Sequence, residues 1–243
     1  MSTHSDLHWL TRRPIAHRGL HDAKNGIAEN SMSAFRAALD RDFAIECDVH
    51  LSADGVPMIF HDEDLERMTG VAGPLAERAA DELGALSLGG TQDGVPRLAD
   101  LFALVDGRVP LVVELKGRDP KADASFADAL RPLVESYHGP LALMSFDAWL
   151  IAQAAAHFAG RVPIGLTAEG TRAENLEQHR RTFDGGCSFV SYNVHHLPNP
   201  FVDWVREENG APVISWTVRT PADAERSTLH ADQITFEGFL PQV

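Results

Sequence analysis

Short apolar runs of strand length recur along this chain, and between them lie stretches whose apolar residues return every three to four positions. The strand-like runs are PIAHRG, AIECDVHLS, PLVVELKG, PLALMSFD, VPIGLT, CSFVSYN, PVISWTV and DQITFE, eight in all. The helix-periodic stretches ENSMSAFRAALDRD, ADASFADALRPLVESY, AWLIAQAAAHF, NLEQHRRTF, FVDWVREEN and PADAERSTLHA fall between them. Strand and helix in alternation is the order of parallel strands joined by helical crossovers. Eight such strands predict an α/β fold, a closed (β/α)8 TIM barrel, whose functional groups gather at the carboxyl ends of the strands. An open doubly wound sheet is the competing arrangement. No Gly-x-Gly-x-x-Gly follows its first strand, so the dinucleotide-binding form of that sheet loses support.

The rhythm breaks after the second run, with a turn SADG, a return arm VPMIFHD, the polar stretch LERMTGVAGPLAERAADELGALSLGGTQDGVP and a helix-periodic RLADLFALV. We read residues 51–109 as a hairpin and a small inserted subdomain within one catalytic domain of residues 1–243. Single barrels of ~200–250 residues are common, so the length asks for no second domain.

The hairpin carries the first chemistry. Residues two apart on a strand share a face, so Glu46, Asp48 and His50 point one way and Ile45, Cys47 and Val49 the other. Asp54-Gly55 suits a tight type I′ turn, and with those two at its centre Asp48 lies opposite His61. Acids crowded inside a barrel need a cation if both are to stay ionised. Other strand ends add to the set. The first ends in His17 and Arg18, the third puts Glu114 and Lys116 on one face, and the seventh brings Trp216 to the same height. Arginine offers a planar fork that matches two phosphate oxygens. Three hard oxygen donors without a Cys or His cluster favour Mg²⁺ or Ca²⁺ over Zn²⁺.

Charge narrows the partners. With 35 acidic and 21 basic residues the chain carries a formal charge of −14, which repels a nucleic-acid backbone. A small phosphate ligand is still compatible, because local cations dominate a pocket. Cys47 and Cys187 have no metal or redox spacing and read as buried, reduced thiols. The N-terminal stretch has no long apolar core and no later run is long enough for a membrane span, so a cytoplasmic location is expected. Nothing in the pattern specifies an oligomeric state.

Together IAHRG, AENSMSAF, IECDVHLSADGVPMIFHD, LERMTG, VPRLADLFALV, VVELKG, MSFD and SWTV resemble the glycerophosphodiester phosphodiesterases, in order and over nearly the whole chain. The resemblance implies a TIM barrel that hydrolyses glycerophosphodiesters to glycerol 3-phosphate and an alcohol. It implies one divalent cation on Glu46, Asp48 and Glu114, with His17 and His61 as acid and base and Arg18 and Lys116 on the phosphate. Phe146 and Trp216 match apolar positions bordering the glycerol or alcohol. Glu29-Asn30 matches the family's Glu-Asn pair, although Asn30 or Ser31 is equally a good N-cap for MSAFRAAL. ITFEG departs from the Thr-Asp that often closes the family's last strand, so no role is carried there. The nucleophile is either water or a hydroxyl of the substrate's own glycerol. The rival readings are a lysophospholipase D-like phosphodiesterase and a non-catalytic phosphate- or polyol-binding barrel. A sugar-phosphate isomerase or aldolase gives no reason for two histidines beside three carboxylates.

Overall fold

The structure is a computed structural model that describes residues 7–241; residues 1–6 and 242–243 of the expected domain lie outside the described residues. Its strands are β1 (Ile15–Ala16), β2 (Ala44–Leu51), β3 (Pro57–Ile59), β4 (Leu111–Leu115), β5 (Leu141–Ser145), β6 (Ile164–Ala168), β7 (Phe189–Asn193), β8 (Val213–Val218) and β9 (Gln233–Phe236). Each apolar run of the sequence holds one of them, and β3 is the return arm. The periodic stretches are the helices Met32–Asp40, Leu98–Val105, Phe126–Ser136, Ala148–Phe158, Ala173–Asp184, Pro200–Glu207 and Pro221–His230.

The chain divides into two compact units, one of them Arg18–Pro140. Within that unit β2 pairs in parallel with β4, which sets Asp48 beside Glu114, and antiparallel with β3. All of β2 is buried, as befits a parallel strand covered on both faces, so its acids are interior groups. The helix Met32–Asp40 is capped by Ser31, whose Oγ accepts from the backbone N–H of Ala34, a bond worth ~1 kcal/mol. Gly19 sits against this helix at φ +75°, where a Cβ would come within 2.9 Å of Ala34. Only glycine fits there. The inserted stretch has a core of its own from Met58, Phe60, Leu65, Leu75, Leu83 and Leu88. Each such buried side chain stabilises by roughly 1.5–3 kcal/mol.

The hairpin register differs by one residue from the expected one. Val49 pairs with Ile59 and His50 with Met58, and the N–H of Phe60 donates to the Asp48 carbonyl at 3.0 Å. Phe60, not His61, therefore stands opposite Asp48. The cause is the turn, a three-residue loop of Ala53, Asp54 and Gly55 closed by Ser52 N–H to Val56 O at 3.0 Å. Of the loop residues only Gly55 has positive φ, because the Ser52 hydroxyl donates to Asp54 Oδ1 at 2.6 Å and holds that side chain in the loop.

The other unit holds the described residues before Arg18 together with the chain from Leu141 onward. Its strands run in parallel in the order β1-β9-β8-β7-β6-β5, with Asn193 of β7 beside Trp216 of β8. Gly165 of β6 makes room for Phe189, whose ring would lie 2.3 Å from any Cβ at that position. Among the described residues, no helix is long and apolar enough to cross a membrane.

Candidate active site

Strand alternation places Glu46 and Asp48 on one face of β2, and parallel register brings Glu114 of β4 to them. One carboxylate oxygen from each lies within 4.8 Å of the others, and all three residues are buried. The backbone N–H of Arg18 donates to Glu46 Oε2 at 2.9 Å. Arg18 Nε stands 3.3 Å from Asp48 Oδ2, Lys116 Nζ stands 3.2 Å from Asp48 Oδ1, and Lys116 also pairs with Glu114. Burial raises the Glu46 carboxyl well above the ordinary carboxylate range, and the charges of Asp48 and Glu114 push it further. Glu114 is pushed up to about 7, again by burial foremost. Burial opposes the charge on Lys116, but Asp48 and Glu114 outweigh it and raise its pKa.

The Glu29-Asn30 pair lies against Arg18 and Asp48, and Ser31 is the cap. Asn30, at φ 53°, donates from Nδ2 to Asp48 Oδ2 at 2.9 Å, and Arg18, also at φ 53°, donates from Nη1 to Glu29 Oε1 at 2.7 Å. Positive φ at two non-glycine residues is uncommon and is held here by Asn30 N–H to Arg18 O at 2.9 Å. His61 follows β3, with Nδ1 2.7 Å from Asp62 Oδ1. His50, on the same face of β2 as the acids, donates from Nε2 to the His61 carbonyl at 3.0 Å and fixes that backbone. Hydrogen bonds thus join His61 to Arg18 through Asp62, Arg67 and Glu29.

In the other unit, His17 Nδ1 lies 2.5 Å from Glu237 Oε2, and Arg219 Nε donates to Glu237 Oε1 at 2.6 Å. The His17 N–H donates to Phe236 O at 3.0 Å, so strand pairing at β9 fixes its backbone. Phe146 meets Trp216 edge to face at 5.4 Å, and the indole N–H donates to Ser191 O at 3.1 Å. Phe146 is 43% exposed.

Among known families, residues 17–234 match the glycerophosphoryl diester phosphodiesterase family. This chain belongs to that family. A glycerophosphodiester phosphodiesterase of Caldanaerobacter subterraneus is 26% identical over 226 residues, covering 87% of this chain and 88% of that protein. A crystal structure from Silicibacter pomeroyi superposes with a TM-score of 0.78 at 25% identity, over 92% of this chain and 89% of the other. An Oleispira antarctica phosphodiesterase, solved with the product sn-glycerol-3-phosphate, gives a TM-score of 0.78 at 22% identity, over 94% of each chain. The fold class is the TIM barrel, as its pattern of strands and helices predicts, and this family member is a phosphodiesterase.

Glu46, Asp48 and Glu114 suit a divalent cation on two grounds. All three donors are oxygens, and burial together with mutual repulsion disfavours ionising them without further positive charge. Four participants carry no role in the sequence reading: His50, Asp62, Arg67 and Glu237. The alternation on β2 pointed to His50, and Asp62 follows His61 directly. Glu237 lies 220 residues from His17, and no local pattern announces that pairing.

Proposed function

We propose that this family member hydrolyses glycerophosphodiesters to glycerol 3-phosphate and an alcohol, with a divalent cation, Mg²⁺ or Ca²⁺, on Glu46, Asp48 and Glu114. The observation that carries the proposal is the buried carboxylate triad with Arg18 and Lys116 against it. Three ionised acids beside two cationic side chains leave one negative charge in excess. A divalent ion reverses that sign among these five groups and favours an anionic phosphodiester beside them. When bound, the cation supplies Lewis-acid polarisation of the phosphoryl oxygens.

The chain's own residues do the rest. Arg18, held through Nη1 on Glu29 and with Nε 3.3 Å from Asp48, would pair with the non-bridging oxygens, with Lys116 as the second cation. His17 and His61 divide general-acid and general-base work, since imidazole is the side chain that can serve as either at neutral pH. Phe146 and Trp216 border the glycerol or alcohol moiety, and the two unpaired thiols suit a reducing, cytoplasmic setting. The substrate is a small molecule. Release of free alcohol from glycerophosphocholine and from lysophosphatidylcholine, assayed side by side, tests this. Preference for the first is expected. Preference for the second would favour a lysophospholipase D-like enzyme, and binding without product would favour a non-catalytic barrel.

A further inference from the structure

LERMTG supplies a side chain that the proposed chemistry does not yet use. Leu65 and Met68 pack into the core of the inserted stretch, and the short helix Glu66–Thr69 ends at Gly70 in the left-handed conformation. Arg67 projects from this anchored turn and grips two carboxylates. Its Nε donates to Asp62 Oδ2 at 2.5 Å and its Nη2 to Asp62 Oδ1 at 3.1 Å. Toward Glu29, Nη2 donates to Oε1 at 2.7 Å and Nη1 to Oε2 at 3.1 Å. Asp62 is the partner of His61 Nδ1, and Glu29 is the partner of Arg18 Nη1.

We infer that Arg67 is a positioning residue for the phosphodiesterase reaction, one guanidinium that orients His61 through Asp62 and Arg18 through Glu29. The inference rests on the catalytic role proposed for His61. His61 is one-third exposed, so packing alone does not fix its ring. Asp62 follows it in the chain and would otherwise sample other rotamers. Held by Arg67, Asp62 keeps the proton on Nδ1 and leaves Nε2 as the nitrogen that exchanges protons with substrate. A lysine at position 67 would keep the charge but offer no planar fork for two carboxylates.

The direct test is long-range ¹H–¹⁵N NMR of the whole protein, at a pH where His61 is neutral and with its signals assigned by their loss in His61→Ala. Wild type should show the Nδ1–H tautomer, and Arg67→Met should show a mixture with Nε2–H. An unchanged tautomer in Arg67→Met overturns the inference, whatever substrate the enzyme takes. In kinetics, Arg67→Met should lower kcat by roughly 10–100-fold in wild type, the range for outer partners of an oriented imidazole, and by much less in a His61→Ala background. Equal losses in both backgrounds would overturn the coupling of Arg67 to His61. Arg67→Lys should keep the thermal midpoint and not recover kcat; full recovery would refute the two-carboxylate grip. Wild-type protein that turns over no glycerophosphodiester would count against the proposed function, while the NMR result would still decide the role of Arg67.

Discussion

His61 and His17 each hold a carboxylate at Nδ1, and each carboxylate is held in turn by an arginine. The two chains of contacts are built differently. His61, Asp62 and Arg67 lie within seven consecutive residues, and Arg67 continues to Glu29 and Arg18. His17, Glu237 and Arg219 are gathered from opposite ends of the sequence by the pairing of β1 with β9. Exposure differs as well: the His17 side chain is 12% accessible and the His61 side chain 33%. Packing and strand pairing do much of the holding at His17, whereas polar contacts do it at His61. Once its carboxylate is lost, the less accessible His17 ring has fewer orientations open to it than the His61 ring.

Mutations rank that contrast. His17→Ala and His61→Ala should each cost roughly 10²–10⁴ in kcat if each transfers a proton; full activity in both variants would break the assignment. Asp62→Asn should cost roughly 10–100-fold, and Glu237→Gln should fall at the low end of that range, about tenfold. Steady-state kinetics on the pair checks the order, and a larger loss at Glu237 would reverse the reading of which imidazole relies on its partner.

A smaller effect concerns stability. The folded-state carboxyls of Glu46 and Glu114 are raised, that of Glu114 from 4.5 to about 7. Across that window the folded metal-free protein keeps protons that the unfolded chain has released, so its stability falls as pH rises. Added Mg²⁺ or Ca²⁺ should therefore raise the thermal midpoint more at pH 8 than at pH 5. Glu46→Gln should raise the metal-free midpoint, by about 2–4 °C for each kcal/mol of repulsion relieved, and erase the response to cation. A midpoint shift with cation that is equal at both pH values would argue that the acids are not its site.

The strands and most helices were legible because period-two and period-3.6 patterns survive whatever the tertiary context. The acids were legible for the same reason, since alternation put Glu46 and Asp48 on one face and Glu114 with Lys116 on another strand's. The hairpin register was not, because Asp54-Gly55 fits both a two-residue and a three-residue loop and the Ser52–Asp54 bond decides between them. Asn30 and Ser31 looked alike as caps, and only packing shows that Ser31 caps while Asn30 turns to Asp48. ITFEG departs from the family's usual Thr-Asp ending, so the contact of Glu237 with His17 had no local signal.

The proposed hydrolysis depends on a cation held by Glu46, Asp48 and Glu114. It is tested most directly by assaying glycerophosphocholine turnover with metal-stripped protein, then after adding back Mg²⁺ or Ca²⁺. Turnover should be abolished by chelation and restored by one of these ions in wild type but not in Glu46→Gln. Turnover indifferent to chelator would contradict it and leave Arg18 and Lys116 as the charge stabilisers.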